Sequence, residues 1–308
     1  MVWLRDRPVV GTGLAAGFVL FVLGCSSVDD PEKPENGGNL DTPRPDTAFT
    51  PAPPAAAVQT VAELERRVGA AEKKLAPLRR EVESDPANAD RQHALGRALY
   101  EANLKDEAIV HLERAAELKP SVRTLLDLAV GYGGSARLDE AARTYERLLV
   151  LSPGFSVALH NLGALAHRRG DFDDAVRYFN RALEKEPVYL LARLHLGDSL
   201  AAAGRGQEAY RNYELVLEGE PRNAQEAHGY VEALYKLAAL DLKMGAHQRA
   251  GQLLSELIRL EPNHPKAYYA YGQVLLHMGH PEDARKAFDK HVQILAAEEP
   301  KGPVAMGD

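Results

Sequence analysis

One cysteine among 308 residues, Cys25, rules out an intramolecular disulfide and leaves no set of thiolates for a metal site. Also missing are a G-x-S-x-G nucleophile turn, an H-E-x-x-H helix and a Walker phosphate loop, and no local acid–base constellation stands in for them. The chain therefore reads as a non-enzyme, with no cofactor and no small-molecule substrate expected. Positive charge is short as well. The formal net charge is −7, and the first 24 residues carry Arg5 and Arg7 against Asp6, so the remainder is more acidic still. Such a body repels phosphate backbones, which argues against a nucleic-acid partner. A long apolar run occurs only at residues 9–23, about 15 residues where a membrane-spanning helix needs roughly 20.

What the chain has in quantity is repetition. Residues 156–187 hold two helix patterns joined by a turn: Leu159, Leu162, Gly163 and Ala166 share a face of the first, which is expected to run to residue 166. Gly170 opens the turn; Phe172, Ala175, Phe179, Ala182 and Leu183 line the second helix, and Pro187 stops it. Pro86, Pro120, Pro153, Pro187, Pro221 and Pro262 recur at 33 or 34 residues, and at 41 across the fifth unit. In that register Ala108, Ala141, Ala175, Ala209, Ala250 and Ala284 occupy one position of the second helix, where a larger side chain would overpack a close helix contact at about 1–3 kcal/mol. The matching position of the first helix is small throughout: Gly96, Ala129, Gly163, Gly197, Ala238 and Gly272. Turns carry Asn103, Ala136, Gly170, Gly204, Gly245 and Gly279, mostly residues that tolerate a left-handed backbone.

Period, small positions and stop proline together resemble the tetratricopeptide repeat over residues 89 to about 296. The resemblance implies an all-α, right-handed solenoid of about six helix-turn-helix repeats, near 89–121, 122–155, 156–189, 190–223, 231–264 and 265–297, within a domain of residues 86–297. The sequence departs from the pattern at Gln92 and Arg193, where a large apolar residue is expected, and at Ala296 in place of the last proline. Seven extra residues before the fifth unit equal two helical turns and can lengthen its first helix without turning its face.

Ahead of the repeats, residues 1–24 read as an export signal, and Val22, Leu23 and Gly24 before Cys25 resemble a bacterial lipobox. That resemblance implies lipidation of Cys25 and a membrane anchor, with Ser26 favouring the outer membrane and a periplasm-facing location in the bacterial cell envelope. Residues 25–57 are rich in proline and cannot build a core, so they are expected to be a disordered tether. As a coil the tether spans about 30 Å, and fully extended up to about 100 Å. Residues 58–85 carry Val61, Leu64, Val68, Ala71, Leu75, Leu78 and Val82 at helical spacing. We read this stretch as a helix capping the first repeat; the alternative is a short coiled coil over 61–82, making the chain an oligomeric spacer with the repeats as a rigid arm. Residues 298–308 have no apolar face and are expected to be a disordered tail.

Other candidate chemistry is thin. The string Gly131 to Ala136 matches G-x-G-x-x-A but follows no strand, so nucleotide binding is not expected; Gly133 and Gly134 either face the groove and admit a partner backbone or mark a frayed helix end. His160 with His167, and His277 with His280, lack further ligands at metal spacing, so no metal is expected. The resemblance puts first helices on the concave wall. The matching positions are His93, Arg97 and Tyr100 in the first unit, then Arg123, Leu126 and Val130 in the second. The third supplies His160, Ala164, His167 and Arg168, the fourth Leu191, Leu194, His195 and Asp198. Tyr235, Ala239 and Lys243 follow, then Tyr269, Gln273, Leu276 and His277. Basic heads, aromatic faces and an aliphatic floor suit an extended or helical protein segment. The family's chaperone-tail clamp of Lys and Asn is not reproduced at His93, Arg97, Arg123, Asp127 and Asn161, so no such tail is expected. The implied role is a scaffold lipoprotein acting as adaptor or assembly factor, similar to the pilotins of type IV pilus secretins or the repeat lipoproteins that gather cell-wall hydrolases.

Overall fold

Proline and left-handed turn residues divide the chain into helices of nearly equal length. The computed structural model describes residues 55–298, and every regular element among them is an α-helix. Helix α1 (Ala55–Ser84) precedes six antiparallel pairs: α2 (Ala89–Glu101) with α3 (Lys105–Leu118), α4 (Val122–Gly134) with α5 (Leu138–Leu151), and α6 (Ser156–Arg169) with α7 (Phe172–Lys185). Then come α8 (Leu190–Ala202) with α9 (Gly206–Glu218), α10 (Ala224–Lys243) with α11 (His247–Leu260), and α12 (Pro265–His277) with α13 (Pro281–Glu298). The second helices from α3 to α11 all stop shortly before a proline, because the residue preceding proline is pushed out of the helical region. Within each pair the turn residue has positive φ, from 58° at Ala136 to 84° at Gly170. Helix α6 outlasts its expected end at 166, running to Arg169; His167, Arg168 and Arg169 suit the negative pole of a helix C-terminus, and Gly170 ends it.

The small-residue register is where the two helices of a pair meet. Ala108, Ala141, Ala175, Ala209, Ala250 and Ala284 are each 0% exposed. Opposite them, a methyl group added at Gly163 would lie 2.8 Å from the Phe179 ring, at Gly197 2.5 Å from Tyr213, and at Gly272 2.6 Å from Phe288. One large ring of the second helix thus seats on a bare stretch of the first. Burial runs serially, from Leu95 and Leu99 through Leu128, Phe179 and Leu237 to Val274, and helices touch those of their own pair and of the neighbouring pairs. That is a solenoid, in which each pair buries its remaining face against the next.

At the N-terminal end, Leu75 and Val82 of α1 are buried against Leu95, Ala98 and Leu99. Lys74 pairs with Glu101, and Arg79 reaches Glu107 at 3.1 Å. Pro77 lies exposed inside α1 without ending it; its cost of about 3 kcal/mol is offset by Leu75 and Val82 on either side. The extra residues of the fifth unit do lengthen α10, to 20 residues. Its start is fixed by Asn223, whose side chain accepts from the Glu226 amide, and by Arg222, whose amide donates to the Glu226 carboxylate at 2.8 Å. The Arg222 guanidinium also reaches Glu186 at 2.9 Å, tying the added turns to the end of α7. Gly229 lets α10 close on α8, since a methyl there would lie 2.9 Å from Leu191.

Candidate functional site: the concave row of first helices

At 100° per residue, positions six before, one after and five after the small residue of a first helix fall within about 40° of one another. Positions three before and four after centre about 70° to one side, and polar side chains there turn toward the next pair. His93, three before Gly96, bonds Asp127 of the next pair through Nε2 at 2.7 Å. His160, three before Gly163, shares a 2.9 Å hydrogen bond with His195, their rings stacked with centroids 5.1 Å apart. Tyr100 packs beneath Gly134, where an added methyl would meet its hydroxyl at 2.8 Å, and His167 bonds Ser199 at 2.9 Å. Tyr235 lies against His264, with centroids 5.8 Å apart. These side chains join one helix pair to the next.

The groove expected from the sequence is corrected accordingly. His160 and Ala164 are 0% exposed and Leu194 is 1% exposed, so none of the three can meet a partner. His93, Leu191, His195 and Asp198 are buried too. His93 is covered by Asp127 of the next pair; for the others the cause is α8, which is enclosed by α7, α9 and the lengthened α10, so the concave wall is filled at the fourth pair. Asp198 accepts from Tyr213 at 2.7 Å and pairs with Lys236 of α10 at 3.0 Å. Tyr269 is 48% exposed because no helix pair follows it among the described residues; its ring touches Phe288 and His291. Gly134 is covered by Tyr100 and its carbonyl accepts from Lys105, so of the two glycines expected to face a partner backbone, only Gly133 has open space above it. Cys25 lies outside the described residues.

What stays open is mostly the other set, with Leu126, three before Ala129, as an exception. Arg123 and Arg168 are exposed, Val130, Leu126 and Gln273 half-buried, and Lys243 and His277 exposed. Among the described residues neither Arg123 nor Arg168 makes an ion pair, whereas Arg97 approaches Asp127 at 3.5 Å and Glu101 at 3.9 Å. Burial shapes the protonation of the joints. It holds the His160 imidazole neutral, well below its ordinary value, with His195 pushing the same way. His195 is also lowered by burial, against the pull of Asp198. Burial likewise lowers Lys236, but the Asp198 and Glu232 carboxylates outweigh it and the net shift is upward.

The joint residues Asp127, Ser199 and Lys236 were missed as partners. A sequence signal for the first existed: Asp127 lies 34 residues beyond His93, one past the register equivalent Leu126, as His195 lies one past Leu194, the equivalent of His160. No group of three or more His, Cys, Asp or Glu side chains lies together as metal ligands would among the described residues, nor is any helix there long and apolar enough to cross a membrane.

Family models for the tetratricopeptide repeat match residues 89–122, 160–225 and 241–299, together about half of the chain. Among solved structures, the MamA RS-1 ArsTM double mutant is similar at 16% identity and a TM-score of 0.51, covering 58% of this chain and 96% of that one. A MamA crystal structure is 21% identical with a TM-score of 0.49, covering 55% and 95%. The human IFIT1 dimer with PPP-AAAA is 17% identical with a TM-score of 0.46, covering 72% and 58%. At such identities the likeness is one of fold alone. No curated protein matches the sequence significantly.

Proposed function

Because the chain belongs to the tetratricopeptide-repeat family, we propose that it is a protein-binding scaffold, tethered to a membrane of the bacterial envelope through lipid on Cys25 and gripping a partner segment along its concave row. One observation carries the reading: the successive first helices α4 and α6 present Arg123, Val130 and Arg168 on an open side while Asp127, His160 and His167 of the same helices are held in joints between pairs. Exposed guanidinium groups beside an aliphatic strip suit an acidic, partly apolar polypeptide segment. The residues at 25–57 would let the solenoid stand off from its anchor, as an adaptor or assembly factor of the pilotin or hydrolase-gathering kind must. We assign it no catalytic role. The oligomeric-spacer reading is less favoured, because the apolar face of α1 at Leu75 and Val82 is taken up by α2.

The test is capture from membranes. Arg123→Glu combined with Arg168→Glu should reduce recovery of the partner at least tenfold while the thermal midpoint stays unchanged, and Cys25→Ser should release the chain from membranes. Undiminished recovery by the double variant would sink the groove reading; full membrane retention of the cysteine variant would sink the anchor.

A further inference from the structure

The interface between the α8–α9 pair and the α10–α11 pair is plugged on the side of the second helices. There Tyr210 of α9 fills the gap, its hydroxyl donating to Asp241 of α10 at 2.8 Å. Arg249 of α11 lies over its ring, 5.2 Å from the centroid, and pairs with Glu214 at 2.6 Å. One interface further on, the register puts Gly251 where Tyr210 stood, Ser255 for Glu214, Leu275 for Asp241 and Asp283 for Arg249. All four parts of the plug are gone. In their place lies an open cleft of about 620 Å³ between α11, α12 and the start of α13, floored by Val274, Leu275 and Met278 and rimmed by Gln252, Ser255 and Arg259. Its size falls in the range of ligand clefts, about 300–1,000 Å³. Gly251 sits inside a helix, where glycine costs about 1 kcal/mol relative to alanine.

We propose that this cleft is a second binding site, distinct from the concave row, that receives an aromatic side chain of a partner polypeptide, tyrosine above all. The molecule supplies the template. A tyrosyl ring is what closes the equivalent gap next door, and the new cleft keeps the apolar floor such a ring needs, a guanidinium, Arg259, at its edge to lie against the ring face, and Gln252 and Ser255 for its hydroxyl. Tyr210 and Gly251, at adjacent interfaces, thus give an internal filled and unfilled pair.

The experiment uses the full chain and the peptide acetyl-Ala-Tyr-Ala-amide, with acetyl-Ala-Ala-Ala-amide as control, read by saturation transfer to the peptide protons. Transfer to the tyrosyl ring should exceed that to the control. It should fall at least fivefold in Gly251→Tyr, which restores the plug, and in Leu275→Asp, which makes the floor polar without adding bulk at the tight contact of residue 251 with Val274. The concave variant Arg123→Glu with Arg168→Glu should leave it unchanged, so the two sites fail independently. Equal transfer to both peptides, or undiminished transfer in both cleft variants whose melting is unaltered, overturns the proposal. So does a rise in transfer when residues 299–308 are removed, since the chain's own end would then be the occupant.

Discussion

Ala136 holds φ 58° at a turn where the last four units place glycine. A left-handed backbone costs an L-residue roughly 1–2 kcal/mol, while glycine loses about 0.4–1 kcal/mol through the greater freedom of its unfolded chain. Ala136→Gly should therefore raise stability by about 0.5–1 kcal/mol, read from the urea midpoint; a lowered midpoint would show that the strain is relieved elsewhere. His160 gives a second test. Its folded pKa is depressed, so the unfolded chain binds more protons below its ordinary value of 6.5. Stability is then complete above that pH and is lost as the pH falls toward the folded value, at up to about 1.4 kcal/mol per unit for one proton. His195, lowered in the same direction, adds to the slope, with Asp198 and Glu232 opposing and Lys236 and His167 reinforcing. In His160→Gln the loss of stability between pH 7 and pH 5.5 should shrink measurably in urea titrations. An unchanged slope would mean that other groups carry it.

Helices were the most legible part of the sequence. Six buried alanines, six small partners and six positive-φ turns follow from a period that any unit can be laid over. The direction in which a side chain leaves its own pair is not legible, since it depends on the rotation between pairs, which no single unit encodes; sequence alone therefore puts His160 and Tyr100 in the groove. Burial of polar residues was hidden as well: His160 and Asp241 look like surface residues until the neighbouring helix is in place. Among the elements α1 stands apart, because its hold on the solenoid rests on a short contact. Leu75→Ala should cost about 2–5 kcal/mol locally, so that α1 loses amide-exchange protection while α6 and α8 keep theirs. If α6 lost protection equally, α1 would be part of a single cooperative unit.

Taken as a whole, the molecule has a dense middle and a sparse C-terminal end. In α8 the residues from Leu190 to Leu200 are buried apart from Arg193, whereas Tyr269, Leu276, Val292 and Leu295 remain 42–61% exposed in α12 and α13. With neighbour-only packing, opening should begin where one neighbour is absent. Amide exchange is expected to proceed from α13 and α12 inward, reaching α8 last; uniform exchange across the chain would refute serial packing.

The histidine, aspartate and lysine joints make the units unequal despite their common backbone. Excising residues 190–223 as one tidy block would leave His160 facing Lys236, two basic heads where a matched imidazole pair had been. The order of the modules is thus inscribed in their seams, and a shuffled or shortened copy of this protein would inherit the shape of its parent without the means to stay closed.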